Sequence, residues 1–328
     1  MDSLAHFTLL KAATAAQAAA LLARHPGARP IAGGTDLLPN LRRGIGSPPA
    51  LVDLSGIAGF DAVTRDARGW RIGAGATLAR LAADEAIARE LPALAQAAAA
   101  VAGPAHRTVA TVGGNLCLDT RCVYYNQSAW WRQANRHCLK HGGDTCHVAP
   151  QGRRCHAAFS GDVAPALIAL EATAELIGQA GPRAVPLQAL YADDGAAHLR
   201  LAADELLVAV TVPPQPAGSR SGYRKARVRA AMDFPLAGVA MRATFDSGKL
   251  TSLRVALTGT NSQPLLLEGT AALCGAPVDE AMQVQLGKRI GKQVSPMRTT
   301  VTASNYRRQV AMVLAQRLLR ELAQSGGR

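Results

Sequence analysis

The sequence is short of acid: 23 Asp and Glu stand against 36 Lys and Arg, a formal net charge of +13. It also has few aromatics, 4% of residues, and no long Lys/Arg run. Without such a run the basic balance is expected to be a solvated surface or a face for an acidic protein, and no nucleic acid is expected as partner. Long apolar stretches are missing too. The alanine-rich segment from Leu91 to Gly103 falls short of a bilayer span, so no membrane is expected either. Met1-Asp2-Ser3 lacks the basic start and apolar block of an export signal, which makes a cytoplasmic setting the expectation.

With 328 residues, 48% of them apolar, the chain can bury two or three cores. Helical spacing over 11–24 ends at Pro26-Gly27. Pro30-Ile31-Ala32, Leu51–Leu54 and Trp70–Gly75 read as strands, and Leu37–Arg43, 78–88 and 92–102 as helices. Periodicity then vanishes from Cys117 to about Phe159 and resumes with Val163–Leu170, a helix or a strand, and Leu206–Val212. Pro213–Ser219 looks like a linker. Beyond it Tyr223–Arg229, Leu236–Phe245 and Leu250–Thr258 read as antiparallel strands, with a hairpin turn at Asp246–Lys249, and helices close the chain near 278–292 and 303–324. The fold class is α+β. The expected units are residues 1–55, residues 56–216 with an irregular insertion at 117–159, and residues 217–328 carrying an antiparallel sheet.

Two turns share one design. Ala32-Gly33-Gly34-Thr35-Asp36 and Thr111-Val112-Gly113-Gly114-Asn115 each pair two glycines with a hydroxyl residue ahead of a helix. Glycines allow close approach, and their N–H groups at a helix N-terminus can cradle phosphate oxygens. Two such turns suit the two phosphates of a pyrophosphate. Asp36 would repel phosphate, so its expected task is capping the following helix. Gly73-Ala74-Gly75-Ala76-Thr77-Leu78 mimics a dinucleotide fingerprint but has Leu78 where the third glycine belongs.

Five of the six cysteines, Cys117, Cys122, Cys138, Cys146 and Cys155, crowd into the irregular stretch, while Cys274 stands alone. Clustered cysteines in a reducing compartment are more often metal ligands than disulfides. Four thiolates from such a group could hold either an iron–sulfur cluster or a zinc ion. Tyr124, Tyr125, Trp130 and Trp131 are expected to shield such a centre, and Arg121, Arg132, Arg136, Lys140, Arg153 and Arg154, against the single acid Asp144, to form a basic docking face.

The paired turns, with Tyr223-Arg224-Lys225, Met232-Asp233-Phe234-Pro235 and Thr258-Gly259-Thr260-Asn261-Ser262, resemble the FAD-binding (PCMH-type) subunits of the xanthine dehydrogenase, or molybdenum hydroxylase, family. The cysteine insertion is similar to that of the 4-hydroxybenzoyl-CoA reductases within it. The resemblance implies FAD held at its pyrophosphate by Ala32, Gly33, Gly34, Thr35, Asp36, Thr111, Gly113, Gly114 and Asn115. It implies Asp162 and Lys225 near the flavin ring, and a 4Fe–4S cluster on Cys122, Cys138, Cys146 and Cys155. It further implies a molybdenum-cofactor subunit and a 2Fe–2S subunit as partners in a dimer of heterotrimers. Electrons would come from ferredoxin through cluster and FAD, and no catalytic residue would lie in this chain. An oxidase- or dehydrogenase-type FAD subunit with a structural zinc loop is the alternative.

Overall fold

The computed structural model describes residues 6–298 and 302–325; Met1-Asp2-Ser3 lies outside them. Strands β1 (Thr8–Lys11), β2 (Arg29–Ile31) and β3 (Ala50–Asp53) form a parallel sheet in the order β1-β3-β2. Helices α1 (Ala15–Arg24) and α2 (Leu37–Arg42) make the connections parallel strands require. The Thr14 side chain accepts from the Gln17 amide and starts α1, whose alanines let it pack closely over the sheet.

Next come β4 (Val63–Asp66), β5 (Gly69–Gly73), β6 (Thr173–Gly178), β7 (Gly181–Pro186) and β8 (Leu206–Val212), an antiparallel sheet ordered β4-β5-β8-β6-β7. Between β5 and β6 the chain leaves the sheet for α3 to α6 (Leu78–Ala83, Glu85–Glu90, Pro92–Ala100 and Pro104–Arg107), α7 (Val112–Leu116), α8 (Ala129–Ala134) and α9 (Val163–Ala169). Asp84 splits the expected 78–88 helix because its carboxylate caps a new one, accepting from the Ala86 and Ile87 amides. Every residue of α9 is buried, which only a helix covered on all sides can be. The two N-terminal sheets share one core, from Ala12 and Val52 through Ile72 and Leu94 to Val212.

Strands β9 (Ser219–Ala226), β10 (Ala237–Asp246), β11 (Lys249–Thr258) and β12 (Leu265–Leu266) form the C-terminal antiparallel sheet, with α10 (Glu280–Gln293) and α11 (Ser304–Gln324) over a second core. The expected β10–β11 turn is present. Ser247 and Gly248 both take positive φ, +49° and +79°, as a two-residue hairpin loop demands. The α+β class therefore holds.

Sequence periodicity overlooks β1, β4, β6, β7 and the two-residue β12. β1 and β7 are short, largely exposed edge strands, and β7 has proline near both ends, so no buried alternation marks them. The cysteine stretch is also more ordered than its composition suggests. The Ser128 hydroxyl accepts from the Trp131 amide to start α8, and a 3-10 turn spans Leu139–His141. Arg136 and His137, both non-glycine, sit consecutively at φ +59° and +58° just before Cys138. Such strain persists only where neighbours over-determine it. Here the His137 amide donates to the Arg132 carbonyl at 2.7 Å, and His147 Nε2 lies 2.8 Å from the His137 carbonyl.

Candidate functional site: a glycine cradle beside a nest of thiols

The first turn begins where β2 ends. A Cβ on Gly33 would lie 1.9 Å from the Val109 carbonyl oxygen, so only glycine lets this turn touch the segment leading into the second one. Gly34 takes φ +66°. The backbone N–H groups of Ala32, Gly33, Gly34, Thr35 and Asp36 donate to no acceptor among the described residues, although all five residues are partly buried. Five consecutive amides at the head of α2 are thus left without an acceptor among the described residues.

Asp36 departs from its expected role. It occupies the N-cap position of α2, but at φ −105°, ψ −45° its backbone is helical rather than extended, and its side chain makes no cap bond. The carboxylate instead pairs with the Arg121 guanidinium and accepts from Asn40 Nδ2 at 3.1 Å.

The second turn has its amides already engaged. Val112 donates to the Ala76 carbonyl at 2.9 Å, Gly113 to Ala74 at 2.8 Å, and Gly114 to its own turn's Thr111 Oγ1 at 3.1 Å. A Cβ on Gly113 would come within 2.9 Å of the Ala74 Cβ. The fingerprint mimic Gly73–Leu78 thus serves as the platform on which the second turn is bolted. Buried Asn115 accepts from the Val163 amide at 3.0 Å and ties this turn to α9. What the second turn offers a ligand is close backbone approach, whereas the first offers donors.

Asp162 and Lys225, from opposite halves of the chain, meet directly. Lys225 Nζ lies 2.9 Å from Asp162 Oδ2 and 3.1 Å from the Ala100 carbonyl, and the Tyr223 hydroxyl donates to Asp162 Oδ1 at 2.5 Å. Both side chains of the pair are 4% exposed. Burial raises the Asp162 carboxyl, and the Lys225 charge and the Tyr223 hydrogen bond pull it back. Asp162 stands at the N-cap of α9 without a cap bond, so capping does not explain it.

Cys122, Cys138, Cys146 and Cys155 are all buried and free, at 8%, 8%, 4% and 5% exposure. Half-buried Cys117 packs instead against the main core. Cys122, Cys138 and Cys155 join Ile45, Tyr125 and Ala157 in a small core of their own. Amides point at the sulfurs: Tyr124 and Tyr125 toward Cys122, His156 toward Cys146 at 3.4 Å, and Ala157 toward Cys155 at 3.4 Å. Burial raises the Cys122 thiol and pushes Cys155 up to about 11, so these sulfurs ionise readily only against a bound cation. Among the described residues no group of three or more His, Cys, Asp or Glu side chains closes to the spacing of a single metal ion.

Two cations of the expected basic docking face turn inward. Arg132 is 3% exposed, donating to the Tyr125, Gln127 and Gly44 carbonyls. Lys140 Nζ is clasped by Asp119 Oδ1 (2.7 Å), the Thr120 carbonyl (2.6 Å) and hydroxyl (2.7 Å), and the Gly195 carbonyl (2.8 Å). Both cations brace the loop from inside, because a segment this poor in aliphatics closes on polar bonds. Of the six cations expected on that face, Arg136 and Arg153 are exposed. Trp130, 75% exposed, shields nothing, whereas Tyr125 is buried. The role of Thr258–Ser262 is invisible in sequence. Gly259 and Thr258 donate to the Phe159 carbonyl, Phe159 to that of Asn261, and the Ser262 hydroxyl to that of Cys155, so the C-terminal unit grips the loop's exit.

Two outcomes follow from this geometry. Gly33→Ala is expected to lose more than about 3 kcal/mol of stability, since Val109 backbone must move, against about 1 kcal/mol for Gly44→Ala, which has φ +65° but nothing within 4 Å; urea unfolding measures both. His198, 6% exposed with Nε2 donating to the Leu118 carbonyl at 2.9 Å, is pulled down to about 4, mainly by burial. Its folded pKa is depressed, so its contribution is complete above about 6.5 and is lost as pH falls toward 4, on the order of 3 kcal/mol. His198→Gln should flatten the stability profile over that window; an unchanged profile would remove His198 as its cause.

Comparison with known proteins agrees with this architecture. Residues 5–215 match the FAD binding domain in molybdopterin dehydrogenase, and residues 221–322 the CO dehydrogenase flavoprotein C-terminal domain. The aldehyde oxidoreductase FAD-binding subunit PaoB of Escherichia coli K12 is 37% identical over 276 residues, 81% of this chain and 85% of that protein. The xanthine dehydrogenase FAD-binding subunit of Escherichia coli O157:H7 is 28% identical over 322 residues, 97% of each. In structure, reconstituted CO dehydrogenase from Oligotropha carboxidovorans superposes with a TM-score of 0.81 at 23% identity, covering 98% of this chain and 99% of that one, a likeness of fold. A parallel and an antiparallel sheet around two interlocked glycine turns, closed by a C-terminal sheet, are thus the build of a FAD-binding subunit of the xanthine dehydrogenase and CO dehydrogenase family of molybdenum hydroxylases, to which this chain belongs.

Proposed function

We propose that this chain is an electron-transfer subunit holding FAD in the glycine cradle and a 4Fe–4S cluster in the thiol nest. The observation that carries the first half is the row of five unengaged amides from Ala32 to Asp36, which fits a diphosphate. Thr111, Gly113, Gly114 and Asn115 would form the facing wall, and the Asp162–Lys225 pair would present charge toward the flavin from the far side. The second half is supported by four buried free cysteines with amides aimed at three of their sulfurs. A zinc ion needs its sulfurs about 2.3 Å from one point. Cluster thiolates each bind a different iron and need not meet at one point. When bound, the flavin exchanges electrons singly or in pairs and the cluster singly; the chain supplies position and electrostatics. The units 1–55, 56–216 and 217–328 are part of this reading. So are a cytoplasmic setting, a molybdenum-cofactor subunit and a 2Fe–2S subunit as partners, and assembly as a dimer of heterotrimers.

For the reaction, the 37% identity to an aldehyde oxidoreductase subunit favours aldehyde oxidation by the complex, with electrons passed to an outside acceptor. The cysteine insertion supports a second reading, 4-hydroxybenzoyl-CoA reduction with ferredoxin as donor. The burial of Arg132 and Lys140 takes two of the six cations from the face assigned to that donor. The test is to purify the chain with its partners. Expected are about one FAD, four iron and four acid-labile sulfide per chain, with iron lost in Cys122→Ser. Zinc without sulfide would support the structural-zinc alternative, and a colourless protein would overturn the flavin reading. Turnover of aldehydes with an artificial acceptor, against consumption of 4-hydroxybenzoyl-CoA with reduced ferredoxin, separates the two reactions.

A further inference from the structure

Asp36 poses a problem for any diphosphate in the cradle. Its own N–H belongs to the row of free donors, while its carboxylate brings a negative charge to the same turn. Like charges at that range repel, and nothing in the turn itself offsets this.

The offsetting charge comes from the cysteine loop. The guanidinium of Arg121, 9% exposed, pairs with Asp36 Oδ1. Arg121 is aimed from a rigid base. Its backbone bridges to Ala158, and the preceding Thr120 is held by Lys140 Nζ through both carbonyl and hydroxyl. Phe234 of the C-terminal unit closes the arrangement from the other side, its ring 5.8 Å from the guanidinium carbon. The next residue in the chain is Cys122.

We propose that Arg121 is a flavin-site residue that acts through Asp36: it cancels the carboxylate charge and so allows residues 32–36 to hold a dinucleotide diphosphate. This rests on the flavin reading above. It makes the cysteine loop part of the FAD site, because the cancelling charge is delivered by the strand of chain that enters the thiol nest.

The test is FAD affinity of the full chain, in the complex with which it purifies, after removal of flavin and titration back by fluorescence quenching. Arg121→Gln is expected to weaken FAD roughly tenfold. Asp36→Asn, with Arg121 intact, is expected to bind FAD at least as tightly as wild type. The double variant should fall within about twofold of Asp36→Asn, because once the carboxylate is gone there is no charge left to cancel. Arg121→Lys keeps the charge and should stay within about threefold of wild type. Melting temperatures on the same samples report folding, and if Arg121→Gln fails to fold, the Asp36→Asn and Arg121→Lys arms still decide. Equal losses for Arg121→Gln in both backgrounds would make Arg121 a strut, and weakened binding in Asp36→Asn would make the carboxylate a direct ligand; either overturns the proposal. Wild-type chain that takes up no FAD would sink the flavin reading itself.

Discussion

The contact between the Gly33 Cα and the Val109 carbonyl holds the site together. With a Cβ at 33 the two would overlap, so the absence of a side chain brings the first glycine turn against the approach to the second. Everything nearby follows from that closeness. The second turn gives its amides to Ala74, Ala76 and Thr111, whereas those of the first stay unengaged. The two turns are therefore not duplicates. One is a cradle of free N–H groups, and the other is a wall pinned to the end of β5 and, through Asn115, to the buried helix α9.

Around this cradle a few basic residues are turned inward. Arg132 and Lys140 bind backbone carbonyls inside the cysteine loop. Arg307, 3% exposed and pulled down to about 10 by burial, binds the carbonyls of Leu236, Pro235, Gly259 and Met297. Long cations bonded to carbonyls can close irregular segments that lack aliphatic residues, at the cost of desolvating the charge. The Asp162–Lys225 pair joins the FAD-binding half to the C-terminal sheet in the same manner, with Tyr223 completing the carboxylate's bonding. Removing one partner of such a pair leaves an uncompensated buried charge, which makes it a strong constraint on how the two halves sit.

Much of this was legible in the residues. Paired glycines after a strand mark close approach whatever the ligand, and the longer strands and helices of the C-terminal unit show their periods plainly. Crowding set five cysteines apart from Cys274, the resemblance set Cys117 aside, and the remaining four are buried with amides or aromatic neighbours around them. Burial was not legible. Arg132 and Lys140 read as surface charges because a basic residue between polar neighbours carries no sign of facing inward. The Asp36–Arg121 pair spans 85 positions, and the grip of Thr258–Ser262 on Phe159 and Cys155 spans about 100, so no local pattern announces either. Edge strands such as β1 and β7 escaped for a simpler reason: with little of their surface buried, they have no alternation to show.

The claim on which the account stands is that the free amides of one turn, and not those of the other, bind the flavin's diphosphate. Backbone hydrogen exchange with and without FAD measures this directly. The expected result is that residues 32–36 exchange fast in the flavin-free protein and become protected when FAD is added, while Val112–Gly114, already bonded within the protein, change little. Exchange at 32–36 that is indifferent to FAD, or protection confined to the second turn, would contradict it.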